Sequence, residues 1–109
     1  MVKLISLLKK LPGRTHEEFA AYWTGPHADL DKKMPRLKKY VINVLNTEQM
    51  AALGGTAIFD GVGELYWDSV EDMQADFASA EGLAAGADGG NLCEVCLNLY
   101  VNEHIMVDK

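Results

Sequence analysis

The feature that most constrains this chain is a first strand with two apolar faces. From Val2 to Lys9 it carries Ile5 and Leu7 on one side and Leu4 and Leu8 on the other. A strand with one face in water alternates apolar and polar residues. The pattern here therefore calls for cover on both faces. The last strand, Leu92 to Val101, adds Val95, Leu97, Leu99 and Val101 along one face. The helices of a 109-residue chain can cover one side of a sheet of this size. A second copy of the chain is the most economical cover for the other, since closed two-fold pairs are the commonest oligomers.

The elements between these strands follow from local chemistry. Leu11-Pro12-Gly13 ends the first strand in a turn. Thr15 followed by Glu18 forms a capping box, which starts a helix. Phe19, Tyr22, Trp23, His27, Leu30 and Met34 then recur at steps of three and four, on one helical face. Gly25-Pro26 interrupts that face and predicts a kink, or a new helix with Pro26 in its first turn. Pro35 ends the helical region. Leu37 to Thr47 is rich in β-branched residues and reads as a strand. Glu48 to Asp60 reads as a loop, with room for one helical turn near Gln49 to Leu53. Val62 to Trp67 is a third strand. Ser69 to Asp72 opens a second helix, Val70 to about Ala80, with Met73 and Phe77 inward. The segment Glu81 to Asn91 is small and glycine-rich and predicts no definite element. The order strand, helix, strand, strand, helix, strand over residues 1–109 predicts one α+β domain. It is the ferredoxin-like βαββαβ arrangement, with helices on one face of an antiparallel sheet.

Composition narrows the function. Net charge is −6, which disfavours nucleic acid and anionic membrane as partners. Basic residues cluster at Lys32, Lys33, Arg36, Lys38 and Lys39, either a solvated helix end or an anion-facing patch. No apolar run approaches the roughly 20 residues of a membrane helix, and the start has no signal-peptide cleavage site, so a cytoplasmic protein is expected. The two cysteines, Cys93 and Cys96, fall within a strand, where residues three apart point to opposite faces. That predicts free structural thiols, not a redox pair or a zinc site.

The helical stretch also carries a resemblance. Tyr22-Trp23, His27, Leu30, Met34-Pro35-x-Leu37-x-x-Tyr40 and Asn43 resemble the EthD-like family of the dimeric α+β barrel superfamily. Phe59-Asp60-Gly61-Val62-Gly63-Glu64-Leu65-Tyr66-Trp67 resembles that family's middle strand. The likeness runs from residue 1 to about 80. Beyond it the chain departs: family members often carry an Asp and then a Phe before the last strand, whereas Asp88 is followed here by Gly89-Gly90-Asn91-Leu92. The resemblance implies a homodimer whose two sheets pack into a barrel. It also implies an apolar pocket in each subunit, between helices and sheet, for a small hydrophobic organic ligand.

Several residues carry chemistry onto faces expected to be buried. His27 titrates near neutrality and can exchange a proton without a cofactor, or it is a satisfied core histidine. Glu64 lies mid-strand and either needs a partner or sits exposed at an edge. Tyr40 and Asn43 either bind a ligand or hold backbone. Asp60 reads as turn chemistry or as an acid–base group. Trp23, Tyr66 and Trp67 are walls for a flat ligand or plain core. There is no phosphate loop, dinucleotide fingerprint, metal-ligand spacing or serine elbow. The expected function is therefore a cofactor-independent enzyme that uses proton transfer: an isomerase, a lyase or dehydratase, or a cofactor-free oxygenase. Its substrate would be a small apolar carbonyl or phenolic compound from a catabolic or secondary-metabolite pathway. His27 and Glu64 would be its catalytic pair, with Trp23, Tyr40, Asn43, Asp60, Tyr66 and Trp67 around the substrate. The alternative is a non-catalytic binding or accessory protein for a partner oxygenase, using the same pocket.

Overall fold

A computed structural model describes residues 1–109. Four strands, β1 (Val2–Lys10), β2 (Lys39–Val44), β3 (Gly61–Trp67) and β4 (Cys93–Val101), form one sheet in the order β2-β3-β1-β4. Every neighbouring pair is antiparallel. This is the α+β ferredoxin-like topology that the order of elements predicts.

The first helical region is longer and more continuous than Gly25-Pro26 suggests. It runs as α1 (His16–Tyr22), a π-helical turn (Trp23–His27) and α2 (Ala28–Asp31). Both halves of the Thr15–Glu18 capping box are present. In an α-helix the Pro26 ring would press against the Tyr22 carbonyl and leave it without a donor. The widened turn relieves that clash, and the Ala28 N–H reaches back to the Trp23 carbonyl. Proline here produces a bulge in a running helix, not a break.

The loop before β3 holds a short helix, α3 (Thr47–Ala52), capped by Asn46. The second long helix ends earlier than its pattern suggests, as α4 (Val70–Ala78). Ser79 then closes α4 and caps α5 (Ala80–Ala87). The glycine-rich segment is thus helical, continuing into α6 (Gly89–Leu92). Its propensity is poor, and packing makes up for it: Gly82 lies against the backbone of Asp76 and Phe77, where a Cβ has no room.

Strand register assigns the faces. Leu4, Ser6 and Leu8 pair across to Leu65, Gly63 and Gly61 on β3, and to Tyr100, Asn98 and Cys96 on β4. This set faces the helices. Two apolar clusters form between the layers. One is Leu4, Met34, Leu65, Trp67 and Met73; the other is Leu8, Phe19, Trp23, Leu92 and Cys93. The Trp23 indole lies over the backbone of Gly61 and Gly63, which is why small residues stand at both positions. Asp76, fully buried, ties the first cluster together. It accepts the Trp67 indole N–H at 2.8 Å and the Arg36 guanidinium at 3.2 Å. Trp67 is thereby committed to the core and is not a pocket wall.

The opposite face shows Lys3, Ile5 and Leu7 beside Tyr66, Glu64 and Val62, with Leu97 and Leu99 on β4. Leu97 and Leu99 are each 47% exposed. No helix of the chain covers this face.

β4 departs from plain strand geometry at its start. Lys9 pairs with Val95 and Lys10 with Cys93, so Glu94 is an extra residue in a β-bulge. The alternation slips by one there. Cys93 and Cys96, expected on opposite faces, both point toward the helices.

Candidate functional site

Between the helical layer and the sheet lies a cavity of about 560 Å³. Trp23, His27, Asp31 and Met34 border it on one side. Gly82, Ala85, Gly86, Gly89 and Gly90 border it on another, and Ser6, Tyr40, Gly63, Cys96 and Asn98 line the sheet side. The glycine-rich helices are what leave the space: side chains on that wall would fill it. A larger, shallower groove of about 770 Å³ runs past Met73, Phe77 and Tyr100. Lys3 is the only charged side chain lining that groove, and it is held by Glu64 and Glu103, so it offers little chemistry.

The π turn aims His27 into the first cavity, between two carboxylates. His27 Nδ1 lies 2.9 Å from Asp88 Oδ2, and Nε2 lies 3.3 Å from Asp31 Oδ2. The same Asp31 oxygen accepts the Tyr40 hydroxyl at 2.7 Å. Asp88 accepts the Tyr22 hydroxyl at 2.8 Å and the Asn91 amide at 3.0 Å. The result is one chain of hydrogen bonds: Tyr22, Asp88, His27, Asp31, Tyr40.

This arrangement sets the protonation states. Burial works against the imidazolium, but hydrogen bonds and charge from Asp31 and Asp88 outweigh it and raise the His27 pKa above its ordinary value. Burial pushes Asp88 up, yet Asn91, His27 and Tyr22 together hold its carboxyl below the usual range. Burial, and then the Asp31 charge, drive Tyr40 far up, so it stays a hydrogen-bond donor. An imidazole with one nitrogen fixed by Asp88 and the other facing Asp31 and the cavity can give a proton and take one back.

Glu64 is on the other side of the sheet. It pairs with Ile5 in register and faces away from the helices. Lys3 lies 2.8 Å from its carboxylate, and the Asn43 amide donates to it at 2.9 Å. Lys3 first, then Asn43, hold its pKa below the usual value. Tyr66 lies on that face too, its hydroxyl 3.0 Å from Glu103. Glu64, Asn43 and Tyr66 therefore form a separate polar cluster and do not meet His27. The correction follows from strand parity: even positions of β1 face the helices and odd positions do not. Asp60 is backbone chemistry, accepting the Lys10 N–H at 2.8 Å, and does not line the cavity. Of the residues singled out from sequence, the structure gathers His27, Trp23 and Tyr40 at the cavity. It adds Asp31 and the two thiols to the lining, and Asp88 and Tyr22 behind His27 in the hydrogen-bonded chain. Asp31 had a readable signal, four residues after His27 on one helical face.

The fold and site define a class: a ferredoxin-like α+β protein with a histidine–carboxylate network at a cavity of mixed polar and apolar lining between helices and sheet. The EthD domain model matches residues 11–94, and the chain belongs to that family. Among solved structures, it resembles an ethyl tert-butyl ether D family protein of Bacillus halodurans C-125. Identity is 26% and the TM-score 0.79, over 95% of this chain and 99% of that one. A hydroxynitrile lyase of Passiflora edulis is similar at 20% identity and TM-score 0.70, over 95% of each chain. SnoaB of Streptomyces nogalater, a cofactor-independent oxygenase, shares the fold at 9% identity and TM-score 0.70, over 99% of this chain and 97% of that one. A dimeric ferredoxin-like protein of Thermobifida fusca YX shares it at 16% identity and TM-score 0.67, over 92% and 88%. No curated protein matches in sequence. No helix is long and apolar enough to cross a membrane.

Proposed function

We propose that this protein is a cofactor-independent enzyme that moves a proton on a small, largely apolar carbonyl or phenolic compound held in the 560 Å³ cavity. The observation that carries this is His27 between Asp31 and Asp88, with Tyr40 completing the inner end. His27 acts as general acid and base. Asp88 orients the ring and steadies its charge. Asp31 and Tyr40 present hydrogen-bonding groups to a polar substrate atom. Trp23 is the apolar wall, and its fixed place over Gly61 and Gly63 shapes the slot. The relatives named as a lyase and a cofactor-independent oxygenase support this kind of chemistry in this fold. A homodimer formed through the uncovered sheet face fits its exposed Leu97 and Leu99 and the dimeric relative.

One observation favours a second reading, a binding protein without turnover. Both nitrogens of His27 already have partners within the chain, so the network is complete without a substrate. The deciding experiment follows exchange of acidic C–H protons in D₂O by NMR, across small aryl ketones, aldehydes and polyphenols. Wild-type protein should accelerate exchange for at least one of them. His27→Gln should slow it by about 10²–10⁴-fold, the usual worth of general acid–base assistance. Ligand binding with no accelerated exchange, and equal binding in His27→Gln, would establish the second reading.

A further inference from the structure

Most polar side chains of the cavity are already spoken for. Tyr40 donates its hydroxyl to Asp31, and His27 meets a carboxylate at each nitrogen. Asp31 and Glu94 are acceptors. Ser6 donates its hydroxyl to Asn98 Oδ1 at 2.7 Å. Asn98 differs from all of these. Its oxygen takes the Ser6 proton, and the Cys96 sulfur lies 4.0 Å from the same oxygen. The planar amide then turns its two N–H groups away from Ser6, and no group of the chain accepts either of them. Trp23 and Tyr100 also border the cavity with a donor each. The Trp23 ring is fixed over Gly61 and Gly63, and Tyr100 is 67% exposed. Of the three, only Asn98 is held in orientation by the hydrogen bond of another side chain. Strand pairing makes this so. Ser6 and Asn98 are direct partners on the face toward the helices, and Ser6 also pairs with Gly63 beneath the Trp23 ring. Since β4 is the edge strand, Asn98 is exposed at the open side of the cavity.

We propose that Asn98, oriented by Ser6, is the donor that holds a carbonyl oxygen in the cavity, which makes the ligand a ketone or an aldehyde. A carbonyl oxygen only accepts, so it suits a group that offers two N–H donors and whose own oxygen is occupied. A phenol would bring a hydroxyl proton that this end of the cavity does not need. Ser6 is a positioning residue: it touches no ligand and acts by setting the amide. The consequence for chemistry rests on the proton-transfer reading of His27. A proton leaves the carbon beside the carbonyl for His27. The C–H pair becomes the carbon–carbon double bond, and the carbonyl π pair moves to oxygen. The Asn98 N–H then faces an enolate oxygen, where a preset donor is worth more than it is to the neutral carbonyl. Return of the proton to carbon restores the ketone.

Acetophenone and indanone, each labelled at the carbonyl carbon, are the probes. Carbon NMR reads the carbonyl shift on binding, and proton NMR in D₂O reads exchange at the neighbouring carbon. The wild-type chain should move the carbonyl signal of at least one ketone downfield, as a hydrogen bond to its oxygen does. Asn98→Leu keeps the size and removes the donors. It should abolish the shift, weaken binding by about two- to tenfold and lower kcat for exchange by about 10²–10³-fold. Asn98→Asp keeps the shape but presents an acceptor, so its losses should be at least as large. Ser6→Ala frees the amide and should cost about two- to tenfold in kcat, with the shift reduced and Tm little changed. Exchange that needs His27 but is unchanged in a folded Asn98→Leu or Asn98→Asp chain would end this proposal and leave the enzyme reading standing. A carbonyl shift that needs Asn98, with no exchange, would support the proposal and end the enzyme reading. Failure of both ketones to bind, or a shift that survives Asn98→Leu, would overturn the assignment of Asn98.

Discussion

The two faces of the sheet hold polar clusters of similar size and opposite character. On the helix side, His27, Asp31 and Tyr40 border a cavity, with Asp88 and Tyr22 behind them in the same hydrogen-bonded chain. On the far side, Lys3, Glu64, Glu103, Asn43 and Tyr66 interlock, with Lys3 Nζ 2.5 Å from Glu103 and also over the Tyr66 ring. In the first, two carboxylates flank one histidine and raise its pKa above the ordinary value. In the second, Glu103, Glu64 and Tyr66 drive Lys3 further toward its cation, and Lys3 fixes Glu64 as its anion. The comparison teaches that a carboxylate held in a hydrogen-bonded cluster is not by itself a sign of catalysis. What sets the helix-side cluster apart is a histidine between carboxylates and room beside it for a ligand.

The largest expected effect tests that difference directly. His27→Gln should cost about 10²–10⁴-fold in proton exchange. Glu64→Gln should leave exchange within about twofold, because it removes a charge from the face without a cavity. Equal losses in the two variants would erase the distinction.

Assembly is the next test. Leu99→Glu places a charge on the uncovered face and should shift a dimer toward the 12.0 kDa chain in sedimentation at micromolar concentration. Leu83→Glu changes an exposed leucine on the helical layer and should leave the assembly as it was. A wild-type chain already monomeric would end the barrel reading.

A third test uses pH, and the two faces should respond in opposite directions. The folded pKa of His27 lies above its ordinary value of 6.5. Its stabilisation is therefore full below 6.5 and lost as pH rises through the folded value. The folded pKa of Glu64 lies below its ordinary 4.5. Its stabilisation is present above 4.5 and lost as pH falls through the folded value. Asp88 also falls silent in acid, so His27→Gln is best compared with wild type from pH 6 to 9 and Glu64→Gln from pH 2 to 5. Each variant should flatten the Tm profile in its own window only.

The smallest effect concerns the outer end of the network. Tyr22→Phe removes one neutral donor to Asp88, worth about 0.5–1.5 kcal/mol, so exchange should fall only about two- to tenfold. A loss as large as that of His27→Gln would place Tyr22 at the reacting centre.

The element order and the histidine were legible in the sequence, because periodicity and capping are local. The choice of face was not. Leu4 and Leu8 read the same as Ile5 and Leu7, so nothing in β1 says which side the helices take. The face of Glu64 was accordingly beyond reach. Trp67 and Tyr66 are neighbours in sequence, and parity alone sends one into the core and the other to the far cluster. The bulge at Glu94 arises from pairing with Lys9 and Lys10, so the cysteine geometry depends on a strand more than eighty residues away in sequence. Asp88 reaches His27 only after α5 packs on α2, a contact between segments of weak individual signal.

The π-helical turn at Trp23–His27 has a consequence for how such sites change over time. A helix that carries one residue in excess behaves like a gear with a spare tooth. The wide turn absorbs that residue locally, so α1 and α2 keep their phase across it, and Phe19 and Asp31 both stay buried. Removing Gly25 would tighten the segment to ordinary winding with little net rotation of α2 relative to α1. A single-codon deletion is thus a way to alter the setting of His27 while leaving the flanking helices where they are.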